Sequence, residues 1–125
     1  MKREEFEALV EEALASLPDE FLNALENIEV LVEDWPTREE LEHAGISPED
    51  RGMLLGLYHG VPLTDRGVWY AGVEPDLITI YQRPIEMVAG QEPGAIRSQV
   101  RTTVLHEVAH YFGIDDERLE ELGWY

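Results

Sequence analysis

Apolar residues at Phe6, Leu9, Val10, Ala13, Leu14 and Leu17 recur at three- and four-residue intervals, with glutamates on the opposite face. That spacing predicts an amphipathic helix whose stripe enters the core, closed by Pro18. A short helical piece through Phe21, Leu22 and Leu25 follows. Ile28, Val30 and Val32 then alternate with Glu29, Leu31 and Glu33, the period of a half-buried strand ending near Asp34-Trp35-Pro36. Thr37-Arg38-Glu39-Glu40 has the form of a capping box, opening a short helix that Gly45 would close. Ser47-Pro48-Glu49-Asp50 reads as a second cap.

The apolar run from Met53 to His59, broken by Gly56, predicts a second strand. Val61 to Gly67 is rich in turn residues and reads as a loop. A shorter strand is expected around Val68 to Tyr70. Leu77 to Tyr81, β-branched and aromatic, predicts a further strand introduced by a Pro75-Asp76 turn. Pro84 suits the first turn of a brief helix through Met87, and Gly90 to Gly94 reads as a linker. From Ala95 to about Phe112 the pattern is helical, and Asp115 to Leu122 is expected to form a last short helix. There is no internal repeat and no low-complexity segment.

The 125 residues fit one domain spanning 1–125, large enough to bury roughly two-thirds of its unfolded surface. Charge changes the picture more than size does. Nine basic against 27 acidic residues give a formal net charge of −18. Such a surface repels phosphate backbones and argues against a nucleic-acid partner, while it concentrates metal cations and basic peptides. It also simply keeps a small protein in solution. The absence of cysteine excludes a disulfide framework and a thiolate zinc site. Met1-Lys2-Arg3 turns acidic at once, does not read as a signal peptide, and no stretch is long enough to span a bilayer. The expectation is a cytoplasmic protein with no membrane partner.

The residues that carry chemistry are His106-Glu107-Val108-Ala109-His110, within the longer pattern His106-Glu107-x-x-His110-x-x-Gly113-x-x-Asp116. A bare H-E-x-x-H arises by accident on the order of a per cent or less in a chain of this length. On a helix, positions i and i+4 stand one above the other with Cβ atoms roughly 5–6 Å apart, so both imidazoles can reach one ion. Glu107 lies about 100° round the helix from His106, placed to take a proton from a metal-activated water and return it to a leaving amine. A third ligand cannot come from continuing the helix. A left-handed residue at Gly113 would end the helix and swing the chain back, bringing Asp116 to the metal. Asp115 and Glu117 have the same chemistry one residue either side, and Asp115 and Asp116 also suit the cap of a final helix.

His106 to Asp116 resembles the extended metal motif of the metzincin clan, in the variant with Asp as third ligand. More of the chain resembles the small, acidic bacterial zincin-like metallopeptidases, through Met53-Leu54-Leu55-Gly56-Leu57-Tyr58-His59-Gly60-Val61-Pro62-Leu63, Pro75 to Tyr81, and Val104 to Asp116. The resemblance implies an α+β, minimal zincin-like fold: a small twisted mixed sheet, helices behind it, and the motif helix below a cleft. It implies one Zn2+ per chain held by His106, His110 and Asp116, with Glu107 as the catalytic residue. The chain departs from metzincins in having no methionine after Asp116, where those enzymes carry a Met-turn.

The expected function is zinc-dependent hydrolysis of peptide bonds in a peptide or small protein substrate. The alternative is a metal-binding regulatory or adaptor protein on the same scaffold with little catalysis. Tyr58, His59 and Tyr111 are candidates for hydrogen bonding to an oxyanion, against a structural role. Arg97 and Arg101, one helical turn apart, are candidates for a substrate carboxylate, against ion pairing within the protein. Trp35, Trp69 and Trp124 read as packing residues.

Overall fold

A computed structural model of the chain describes residues 1–25, 28–60, 76–114 and 116–122. Helix α1 (Arg3–Ala15) is followed by the short α2 (Asp19–Ala24), strand β1 (Ile28–Glu33) and α3 (Arg38–Ala44). A 3-10 helix at Pro48–Met53 leads into β2 (Gly56–His59). After β3 (Asp76–Tyr81) come α4 (Gln82–Ala89), the long α5 (Pro93–Tyr111) and α6 (Asp116–Leu122). The expected loop at 61–67 and strand at 68–70 lie outside the described residues.

Among the described residues, three strands form one mixed sheet in the order β1-β3-β2, with β1 and β2 at its edges. β1 runs parallel to β3, with Val30 opposite Ile78 and Val32 opposite Ile80. β2 runs antiparallel to β3, with Gly56 opposite Ile80 and Tyr58 opposite Ile78. β3 is central, and Ile78, Ile80 and Tyr81 are completely buried in it. The edge strand β1 keeps its alternation, burying Ile28, Val30 and Val32 in part and exposing Glu29 and Leu31. A central strand covered on both faces reads as a near-continuous apolar run, whereas an edge strand alternates.

One side of the sheet packs on α1 and α5. Phe6, Val10, Ala13 and Leu17 meet Ile96, Val100, Val104 and Val108, and Ile78 and Ile80 complete the main core. The α5 residues in that core lie four apart, one above the other on one face. A smaller cluster of Leu41, Leu54 and Tyr81, with Ala44, Ile46 and Leu57 against it, ties α3 and the 3-10 helix to the sheet. The α+β, small mixed-sheet architecture is therefore as expected.

Local signals explain the helix boundaries. Thr37 accepts from the Glu40 amide at 3.1 Å and its own amide donates to Glu40 Oε1 at 2.8 Å, forming the expected capping box. α3 ends with Gly45 N–H on the Glu42 carbonyl and Ile46 N–H on the Leu41 carbonyl. Ser47, expected to cap, makes no side-chain cap bond, and Pro48–Met53 winds as a 3-10 helix with a kink at Asp50. The second strand consequently starts at Gly56, three residues later than the apolar run from Met53 suggests. Glu92 caps α5, its carboxylate accepting from the Gly94 and Ala95 amides at 2.9 and 2.7 Å.

Near the capping box, Glu33 at the end of β1 approaches Glu40. Burial and the Glu40 charge push the Glu33 carboxyl above its ordinary range, opposed by Arg3. Arg3 also donates to the Val32 carbonyl and to Asp34, which it holds below the usual carboxylate range. Arg51 stands over the Trp35 ring at 4.0 Å, a packing role for that tryptophan. Trp69 and Trp124 lie outside the described residues. No helix among the described residues is long and apolar enough to cross a membrane.

Candidate metal centre

Helix α5 divides its circumference between two tasks. One face supplies Val100, Val104 and Val108 to the core. A second face, Gln99, Thr102, Thr103, His106, Glu107 and His110, lines a groove of about 650 Å3. The opposite wall comes from the end of α3, the 3-10 helix and β2, through residues such as Ala44, Ile46, Leu54 and Leu57. The groove thus has one polar flank and one largely apolar flank, and it runs beside the edge strand of the sheet.

His106 and His110 stand one turn apart in this groove, with ring centroids 4.5 Å apart and planes at 74°. One ligating atom from each of His106, Glu107 and His110 falls within 4.8 Å of the others. Two zinc–nitrogen bonds of about 2.1 Å at a tetrahedral angle hold their nitrogens about 3.4 Å apart, so the half-buried rings would turn towards each other to share an ion. Two imidazoles and a carboxylate are also the donor types a borderline-soft divalent ion prefers. The residues present therefore fit a zinc-type ion. Among the described residues, these three form the group close enough to share one.

Glu107 is 6% exposed. Its Oε1 is 3.3 Å from His110 Nδ1. With the proton on Nδ1, that nitrogen donates to the carboxylate and His110 presents the lone pair of Nε2 to an ion. The helix ends two residues beyond His110 in the way the sequence suggests. Gly113 is left-handed with φ 76°. Its N–H bonds the His110 carbonyl at 3.0 Å, and the Ile114 N–H bonds the Ala109 carbonyl at 2.9 Å, a Schellman closure. A left-handed residue is strained for any side chain but readily adopted by glycine. The backbone then re-enters a helix at Asp116. Asp115 and the Asp116 side chain lie outside the described residues.

The family comparison fits this geometry. The model of the zincin-like metallopeptidases matches residues 25–124. The chain belongs to that family. No curated protein matches it closely enough to add a more specific relation. As a zincin-like protein it carries, on its longest helix, a His-Glu-His group that could hold a metal ion.

The secondary candidates separate. Tyr58 lines the groove, but its hydroxyl donates to Asp76 Oδ2 at 2.7 Å, so that proton is already engaged. Tyr111 is fully buried, edge-on to Tyr58 and Phe112. His59 is exposed and stacks on His43, with centroids 4.5 Å apart. Arg97 pairs with Glu12 of α1, on a face away from the groove, as the ion-pair reading expects. Arg101 lies on that same side. The groove residues Gln99, Thr102 and Thr103 were not singled out from the sequence, although they precede His106 at helical intervals of seven, four and three. Gln99 donates to the Thr103 hydroxyl at 3.2 Å.

Proposed function

We propose that this zincin-like protein is a zinc-dependent metallopeptidase acting on extended peptides. The observation that carries the reading is the His106–Glu107–His110 cluster on the polar flank of a groove beside an edge strand. His106 and His110 would hold the ion, with Asp116 as the third ligand after the Gly113 turn. When bound, the metal would supply a Lewis acid that polarises the scissile carbonyl and makes water acidic enough to ionise near neutral pH.

The rest of the chemistry belongs to the chain. The Glu107 carboxylate accepts the proton that water gives up as it attacks, then delivers it to the departing amine nitrogen. Its near-complete burial keeps the carboxylate from competing solvent and strengthens its electrostatic effect. Among the described residues β2 lies at the sheet edge, where an extended peptide could add as a further strand through backbone hydrogen bonds. The net charge of −18 favours peptides with basic residues and disfavours nucleic acid. A cysteine-free chain is compatible with the cytoplasm as its place of action.

A second reading, a metal-binding regulatory or adaptor protein, draws on the Glu107–His110 contact. A carboxylate committed to orienting a ligand imidazole would support metal binding without serving as a base. The two readings part in one experiment. Zinc stoichiometry is measured after reconstitution and desalting for wild type, His106→Ala and Asp116→Ala, and turnover of a peptide library for wild type and Glu107→Gln. The peptidase reading expects one zinc, lost in His106→Ala and weakened in Asp116→Ala. It also expects turnover that vanishes in Glu107→Gln while zinc stays. Zinc without turnover in wild type selects the regulatory protein, and no specific zinc removes both.

A further inference from the structure

We infer that Gly56, the first residue of β2, is a positioning residue for Glu107. The inference rests on the proposed peptidase chemistry and extends it to a residue that touches neither metal nor substrate. β2 and α5 pack closely here. A Cβ built on Gly56 would lie 2.9 Å from Thr103 Cγ2, 3.1 Å from Glu107 Cγ and 3.4 Å from Ile80 Cδ1. Ordinary van der Waals contact begins near the last of these distances, so the missing side chain is what lets the strand rest on the Thr103–Glu107 surface. The glycine is buried and paired with Ile80 of the central strand, so the β2 backbone has little room to retreat. Thr103 and Glu107 are also buried, and they lie one turn apart on α5.

The consequence is geometric. The Glu107 side chain is bounded by the β2 backbone at its Cγ and by His110 Nδ1 at its carboxylate. A methyl at residue 56 would therefore press on the Glu107 Cγ, the carbon that sets the direction of the carboxylate lying against His110. Any side chain at residue 56 would push on the Glu107 methylene or, through Thr103, on the helix turn that carries it. Relief of these contacts moves the neighbours by a few tenths of an ångström, and since a misplacement of about 1 Å at a reacting group costs on the order of a hundredfold in rate, a several-fold loss follows. The atoms nearest to that position belong to Thr103, Glu107 and Ile80, not to the histidines. The strain therefore falls first on the Glu107 carboxylate and its proton transfer, and reaches metal binding only through the Glu107–His110 contact.

The test is a two-residue cycle on the zinc-loaded protein: wild type, Gly56→Ala, Thr103→Ser and the double variant. Thr103→Ser deletes the Cγ2 that the new methyl would strike and keeps the hydroxyl that receives Gln99. The expected result for Gly56→Ala is a roughly 3- to 10-fold fall in kcat, with KM within about twofold of wild type and one zinc still bound per chain. The double variant should recover at least a third of that loss on a logarithmic scale. A Gly56→Ala enzyme with unchanged kcat would overturn the inference, as would a loss explained by departed zinc. Absence of recovery in a folded double variant would do the same. Should wild type cleave no peptide, the proposed function fails separately. The positioning inference is then decided by the 13Cδ resonance of Glu107, which must move in Gly56→Ala and return towards wild type in the double variant. An unmoved resonance refutes it.

Discussion

Replacing Phe6 by alanine probes the packing that holds the metal-site helix in place. Phe6 is completely buried, on α1, in the cluster formed with Val100, Val104 and Val108 of α5. Truncating a buried phenylalanine costs about 3–5 kcal/mol, combining lost transfer energy with the cavity left behind. Unfolding entropy near the midpoint is about 2.1 cal/mol/K per residue, or ~0.26 kcal/mol/K for 125 residues. The Tm should therefore drop by about 11–19 °C. Leu31 provides the contrast, since it is 44% exposed on the edge strand, and Leu31→Ala should stay within about 0.5 kcal/mol. The assay is urea unfolding followed by circular dichroism, with metal chelated, at matched protein concentrations. An unchanged denaturant slope is required before the midpoints are read as stability. A Phe6→Ala loss below about 1 kcal/mol, or one no larger than that of Leu31→Ala, would refute the packing of α1 on α5 described above.

Zinc at a hundredfold excess over its Kd should stabilise wild type by about 2.7 kcal/mol, raising the Tm by ~10 °C, and His106→Ala should abolish the shift in calorimetry. Thr37→Ala, which removes one half of the α3 capping box, should cost about 1 kcal/mol in urea unfolding, and an unaffected midpoint would deny the cap a role. Tyr58→Phe takes a donor from the buried Asp76 carboxylate and should cost about 1–3 kcal/mol, again read by denaturation. For Asp34, the Arg3 hydrogen bond lowers the folded-state pKa below the ordinary 3.8. Its contribution is thus present above 3.8 and lost as pH falls from there through the lowered folded-state pKa, so Asp34→Asn should weaken the protein more at pH 7 than at pH 2.5. Equal destabilisation at both pH values would show that the pair acts through something other than ionisation.

The elements of this fold were legible where periodicity was strong. The α1 stripe, the β1 alternation and the Thr37–Glu40 box each carry a local physical signal, and each appears as expected. The two histidines likewise come together because a helix fixes the i, i+4 spacing before any tertiary contact forms. Residues 47–55 were less legible. Ser47 has the chemistry of a cap, yet the segment after it winds as a 3-10 helix and buries Leu54 against Leu41 and Tyr81. That preference is settled by packing between α3 and the sheet, which no window of local sequence contains. The apolar wall of the groove escaped notice for the same reason, being assembled from Ala44, Ile46, Leu54 and Leu57 on separate elements. Gly56 reads in sequence as an interruption of an apolar run. In the fold it is the point where a strand backbone meets the helix below it.

Because α5 supplies both the core face and the imidazoles, the helix that carries His106 and His110 is tied to the main core through Val100, Val104 and Val108. Amide hydrogen exchange along this helix should therefore be slow, following the opening of the core. The same coupling has a reverse side: a remote substitution that lowers global stability should shorten the residence time of the bound ion, even when every groove residue is unchanged.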